Sequence, residues 1–293
     1  MHPTRREMLR AGVLALAGTP WLAASSAHAA PAAKPLFSAV GIAASIDQAA
    51  VLKAAGAAFL TENVGTFLMP DQPDAAFAKS LARLAASPLP ILACNGFIRP
   101  AHLRCVGADA NHDAVLAWSE IVFRRLQQIG GKFIVFGSSS ARALRDGWPK
   151  KQADAQFVAL LKRMGPLAEM HRVTVVVEQL QTAECNYINH LCEAATLIRD
   201  AGHPHVRVLA DLFHMACVGD TPADLKAAMD VVVHLEIAEQ AERTVPGVHG
   251  DDFRPFFRVL REAGYAGAIS IEGGSTAAQL APAFQEIAKQ AAE

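Results

Sequence analysis

The chain has 293 residues, is 52% hydrophobic and carries a formal charge of −1. That balance argues against the basic footprint of a nucleic-acid or anionic-membrane binder, and the length suits one or two ordinary domains or a single α/β barrel of roughly 250 residues. Its five cysteines, an odd number without C-x-x-C spacing, make no disulfide framework or zinc knot; each is expected as a small, buried or half-buried thiol.

Residues 1–29 read as an export signal. Thr4-Arg5-Arg6-Glu7-Met8-Leu9-Arg10 precedes a weakly apolar stretch from Ala11 to Ala24, and Ala27-His28-Ala29 follows. A charged start, a short apolar region and an A-x-A site are the parts of a cleavable signal. The paired arginines resemble the bacterial twin-arginine signal, which implies a periplasmic destination. The apolar stretch is too short and too broken by Gly and Pro to span a bilayer well, so no stable membrane association is expected after cleavage. Residues 30–35 read as a linker and 36–293 as one folded domain. The twin-arginine route carries folded proteins, which agrees with a metal loaded before export.

Strand-like and helix-like segments then alternate. The strand candidates are 36–42, 57–63, 89–95, 132–138, 173–179, 206–212, 231–237 and 267–273. Helix-like stretches cover 46–55, 73–86, 111–129, 152–170, 187–201, 222–229, 251–263 and 276–291. In 111–129, Val115, Trp118, Val122 and Leu126 recur at spacings of three and four. Gly56, Gly202 and Gly264 stand where helix C-caps are expected. Eight such units imply parallel βαβ connections closed into a (β/α)8 TIM barrel, with an open doubly wound sheet as the runner-up. The first strand is followed by GIAASI, which lacks the glycines of a dinucleotide fingerprint.

Four late strands end in or near an acid: Glu178 in VTVVVEQL, Asp211 in VRVLADLFHM, Glu236 in VVVHLEIAE and Glu272 in GAISIEGG. Side chains alternate along a strand. His234 and Glu236 therefore share one face of VVVHLEI while Leu235 and Ile237 share the other, which points the polar pair inward. By the same parity Val176 goes with Glu178, Leu209 with Asp211 and Ser270 with Glu272. Burying a carboxylate costs several kcal/mol unless it is paired or binds a metal. Four together at the mouth of a barrel point to a hard divalent ion such as Mn²⁺ or Mg²⁺, against the plainer reading that one or two merely pair with Arg or Lys. Glu62, at the end of the second strand, reads equally as a substrate contact or a cap. Phe97 reads as a pocket wall or loop packing, and Gly137-Ser138-Ser139-Ser140 as a polar turn able to offer amides or hydroxyls.

These pieces in this order resemble the sugar isomerase/epimerase superfamily with the xylose-isomerase-like barrel, which includes ketose 3-epimerases and hydroxypyruvate isomerase-like proteins. The matching pieces are E-x5-E at Glu178 and Glu184 with Asn189 following, D-x-x-H at Asp211 and His214, His234 with Glu236, R-x-x-P-G from Arg243 to Gly247, and Glu272 ending the last strand. The resemblance implies that Glu178, Asp211, the residue at 236 and Glu272 hold one divalent metal, Mn²⁺ foremost with Mg²⁺ or Co²⁺ as alternatives. It makes Glu178 and Glu272 the acid/base pair, and Glu184, His214 and Arg243 contacts to substrate oxygens. The family usually carries His, sometimes Gln, where this chain has Glu236. His234 could then serve as a substitute ligand, a polar neighbour of the ligands or substrate, or a structural residue.

The expected function is a metal-dependent isomerase or epimerase of a sugar, keto-sugar or small hydroxy-carbonyl compound. A keto-polyol dehydratase or lyase and an inactive sugar-binding barrel are the alternatives. The DNA-repair branch of the superfamily would need more histidines on the early strands and a basic surface. Assembly is left open between a monomer and a homo-oligomer.

Overall fold

The computed structural model describes residues 35–293 except 146; residues 1–29, read from the sequence as an export signal, and most of the expected linker lie outside the described residues. Eight parallel strands close into a barrel in chain order: β1 (Val40–Ala43), β2 (Leu60–Asn63), β3 (Ile91–Asn95), β4 (Phe133–Phe136), β5 (Thr174–Glu178), β6 (Val206–Asp211), β7 (Val232–Ile237) and β8 (Ile269–Ile271). The helices are α1 (Ala49–Ala55), α2 (Asp74–Ala86), α3 (His112–Gln128), α4 (Ser139–Arg142), α5 (Lys150–Met170), α6 (Leu191–Ala201), α7 (Leu212–Val218), α8 (Pro222–Ala228), α9 (Arg254–Glu262) and α10 (Ala277–Ala292). The closed ring rules out the open doubly wound sheet. Among the described residues no helix is long and apolar enough to cross a membrane.

Apolar runs explain the ring. Val175, Val177, Val206, Val208, Leu235 and Ile237 point outward into one continuous core shared with the helices. Ala93, Val135, Val176 and Leu209 form a second, smaller cluster within the barrel. The parity read from the sequence holds, since Val176 and Leu209 point the same way as the acids two residues beyond them. At roughly 1.5–3 kcal/mol for each large aliphatic side chain, this outer layer supplies the stability that lets the barrel's interior carry charge.

Differences from the sequence reading cluster at the strand ends. A π-helical turn, Val64–Leu68, follows β2, where Asn63 Oδ1 accepts from the Gly65 and Thr66 N–H groups. Helix α7 starts directly from β6, because Asp211 also caps it by accepting from the Phe213 and His214 N–H groups. Helix α6 begins at Leu191, later than expected, because Ile188 has φ 60° and breaks the helical path. The cysteines are all free thiols, but Cys192 is exposed rather than buried or half-buried.

Candidate active site

The acids meet at the C-terminal mouth of the barrel. Glu178, Asp211, Glu236 and Glu272 each offer an oxygen such that all four lie within 4.8 Å of one another. Strand register sets this up: Asp211 pairs with Glu236, and Glu236 with Ser270, two residues before Glu272. At such separations two carboxylates repel by about 4 kcal/mol at an effective dielectric of about 20. Several such pairs exceed what one cation can offset.

That cation is Arg243. Its guanidinium donates to Glu272, lies 3.2 Å from Glu184 and 3.6 Å from Asp211, and stacks on Phe213 at 4.6 Å. Both Oε atoms of Glu236 and Oδ2 of Asp211 are buried without a hydrogen-bond partner. Burial, reinforced by the charges of Glu272, Glu178 and Asp211, holds the Glu236 carboxyl well above the ordinary carboxylate range. Burial likewise raises Asp211. Burial and the Glu178 charge push Glu272 up to about 7, against the pull of Arg243. Clustered carboxylate oxygens, three of them buried without a hydrogen bond, suit a hard divalent ion, so the residues present fit such an ion.

His214 sits beside them without an oxygen's role. Its Nδ1 accepts from the Gln181 N–H at 3.2 Å, which keeps the ring proton on Nε2. Nε2 points at Glu178 (3.4 Å) and Asp211 (3.5 Å), so the ring faces the carboxylates as a donor. Burial disfavours its charged form, but the Glu178 and Asp211 carboxylates outweigh that and shift the ring upward.

The sequence-derived residues are not all brought together. Glu184 and His214 line the inner cleft of about 210 Å³ with Glu178, Arg243 and Glu272. Glu62 lines an adjoining cleft of about 460 Å³, but its oxygens accept from the Ile46 and Asn63 N–H groups, so it anchors backbone. His234 does not reach the mouth. It is fully buried one step down the strand, stacked on Phe133 at 4.9 Å and lining neither cleft. With no partner on either nitrogen, it is held neutral by burial, down to about 4. Phe97 is buried against Phe123 and Phe136 rather than walling the site.

Other site residues were not evident from the sequence. Asn95 Nδ2 donates to Glu272 at 2.8 Å and lines both clefts. Gly137 makes room for the Glu178 carboxylate, since a Cβ there would lie 2.3 Å from Glu178 Oε2. Buried Glu239 accepts from the N–H groups of Gly247, Val248, His249, Gly250 and Asp251, binding the loop that follows Arg243 into one unit. These backbone bonds outweigh its desolvation and keep Glu239 ionised below the usual range. A lone Glu two residues past a strand carries no such signal, because its partners are main-chain groups that any sequence supplies.

A parallel barrel with a polar, acid-lined mouth defines an enzyme-like scaffold whose chemistry sits at the strand ends. Residues 46–292 match the model of the xylose isomerase-like TIM barrel family, and the chain belongs to that family. It is 32% identical over 124 residues to a D-psicose 3-epimerase of Enterocloster bolteae, covering 42% of this chain and 41% of that one. It is 28% identical over 180 residues to the 3-dehydro-D-guloside 4-epimerase of Escherichia coli, covering 57% and 66%. The alignments thus span less than two thirds of these curated relatives. Among solved structures, the 3-keto-D-glucoside 4-epimerase of E. coli superposes with a TM-score of 0.70 at 19% identity, covering 86% of this chain and 98% of that one. A D-psicose 3-epimerase of Clostridium cellulolyticum H10 gives 0.70 at 18%, covering 87% and 96%. At these identities the superpositions speak to the fold.

Proposed function

We infer that this protein is a divalent-metal-dependent epimerase or isomerase of a sugar, keto-sugar or small hydroxy-carbonyl compound. The observation that carries the reading is the meeting of Glu178, Asp211, Glu236 and Glu272 within 4.8 Å at the mouth of this family's barrel. The epimerase names of its relatives support the reaction class. Those four acids would hold the ion, which when bound supplies positive charge to stabilise an enediolate. All four donors are oxygens, which favours Mn²⁺ or Mg²⁺ over softer ions.

This chain's own groups then move the proton. Glu178 and Glu272 flank the inner cleft, one to take a proton from the carbon next to a carbonyl and the other to return one. The His214 Nε2–H and the Arg243 guanidinium are placed to orient the oxygens of a substrate, and Glu184 holds Arg243 from the outer side. The N-terminal signal would deliver the folded barrel to the periplasm.

The experiment is product analysis over a panel of ketoses and 3-keto-sugars, with the protein stripped by chelator and then reloaded with Mn²⁺. Interconversion of epimers or isomers only after reloading is expected. A dehydrated product would move the assignment to a lyase. Loss of all turnover together with tight sugar binding would make the protein a binding module.

A further inference from the structure

The inner cleft opens into a second cleft of about 340 Å³ lined by Gly96, Ile98, Arg99, Ser138, Ser139 and Ser140. Gly96, Arg99, Ser138 and Ser139 line both, so the two are continuous. Their electrostatics are opposite. The inner cleft is crowded with carboxylates, whereas no acid lines the outer one. The ion pairs of the mouth are made by Arg243, which leaves Arg99 without a carboxylate partner among the described residues.

Arg99 is exposed on the loop that follows β3. Gly96 has φ 64°, and a Cβ there would fall 2.5 Å from Asn63 Nδ2 and 3.0 Å from Arg99 Nε. The missing side chain leaves room for the Arg99 guanidinium where it lines both clefts. The loop beneath is pinned on two sides: the Ile98 N–H donates to Ser138 Oγ at 3.0 Å, and Trp118 Nε1 donates to the Phe97 carbonyl at 2.8 Å. Ser139 and Ser140 line the same cleft. A guanidinium and serine hydroxyls lining one cleft that holds no acid have the chemistry of a carboxylate or phosphate seat.

The geometry points to a distal subsite in which Arg99, with Ser139 and Ser140, binds an anionic group at the end of the substrate remote from the reacting carbon. This rests on the proposed function and narrows it: the substrate is an acidic keto-sugar, carrying a terminal carboxylate or a terminal phosphate, rather than a neutral one. An anionic reacting end would be repelled by the acids of the inner cleft, so the charge belongs at the far end.

The test compares kcat/KM for a ketohexose, the matching keto-hexuronate and the matching ketohexose 6-phosphate on the Mn²⁺-loaded protein and on Arg99→Gln and Arg99→Lys. At least one anionic substrate should exceed the neutral one tenfold or more, chiefly through KM, and the preference should weaken with added salt. In Arg99→Gln the anionic-to-neutral ratio should fall at least tenfold, and Arg99→Lys should keep part of it. Which anion is preferred separates the carboxylate from the phosphate. Equal or better use of the neutral ketose, or an unchanged ratio in Arg99→Gln, would overturn the proposal. Calorimetric binding of a hexuronate and of a hexose 6-phosphate, each against the neutral hexose, is independent of turnover. Arg99-dependent binding of either anion without any epimerisation would sink the reaction assignment and leave the subsite standing; loss of both would sink the subsite.

Discussion

At the scale of single residues, the site depends on groups that cannot all be charged at once without an ion. Glu178→Gln and Glu272→Gln preserve shape but remove the acid/base function, so each should lower kcat by about 10²–10⁴-fold; steady-state kinetics on the Mn²⁺-loaded variants measures this, and near-normal turnover in either would end the two-carboxylate mechanism. Glu236 is separable from them. Glu236→Gln keeps the volume and removes the cost of either protonating or burying that carboxylate, so it should raise the stability of the metal-free protein at neutral pH while weakening Mn²⁺ binding. Thermal melts with and without ion, with calorimetric titration, read both effects. A variant that binds Mn²⁺ as tightly as the parent would show that this carboxylate does not ligate.

At the scale of elements, the strand ends and the loops beyond them aim the acids. Gly137, just past β4, leaves room for the Glu178 carboxylate. Gly137→Ala should cost at most about 1–3 kcal/mol in folding, because the atom displaced is a side-chain tip, yet it should disable the site. Melting temperature and turnover measured together separate the two effects; a variant that stays active would show that Glu178 can shift harmlessly. Glu239→Ala leaves five backbone N–H groups without their acceptor. Each lost bond to a charged group is worth about 1.5–3 kcal/mol, so the 247–251 loop should loosen and KM should rise through Arg243.

Much of this was legible in the sequence. The eight strands and the inward parity of the four acids follow from alternation alone, because a closed parallel barrel leaves little freedom in which way a side chain points. Asp211 was visible as a strand-end acid, but its second job as the cap of α7 was not, since a helix that starts without a loop gives no turn signal. Asn95, Glu239 and Arg99, and the room that Gly137 of the polar turn makes for Glu178, were missed for a shared reason. Their importance comes from partners more than thirty residues away, or from main-chain groups, and local pattern carries neither. That His234 lies deeper than Glu236 follows from its earlier place on the strand; that both its nitrogens stay unpartnered there is not visible in local pattern.

At the scale of the whole molecule, the mouth's charge couples folding to pH. The Glu272 carboxyl is raised from 4.5 to about 7. The folded protein therefore holds a proton that the unfolded chain has released, and stability from this group is full below about 4.5 and is lost as pH rises through about 7. Glu236 and Asp211 are raised as well and act in the same direction. The metal-free protein should thus melt at lower temperature as pH is raised from 5 to 8, at roughly 0.15 M salt. A divalent ion needs the deprotonated acids, so its stabilising effect should grow over the same interval and reach about 2.7 kcal/mol at a hundredfold excess over Kd.

The central claim, proton transfer at a sugar carbon by Glu178 and Glu272, is tested most directly by mass and NMR analysis of a ketose or keto-sugar incubated with the Mn²⁺-loaded protein in D₂O. Solvent deuterium is expected at the carbon next to the carbonyl in the product, with changed configuration or a shifted carbonyl, and none with Glu178→Gln or Glu272→Gln. Product formed without deuterium across the panel, or undiminished incorporation in either variant, would contradict it.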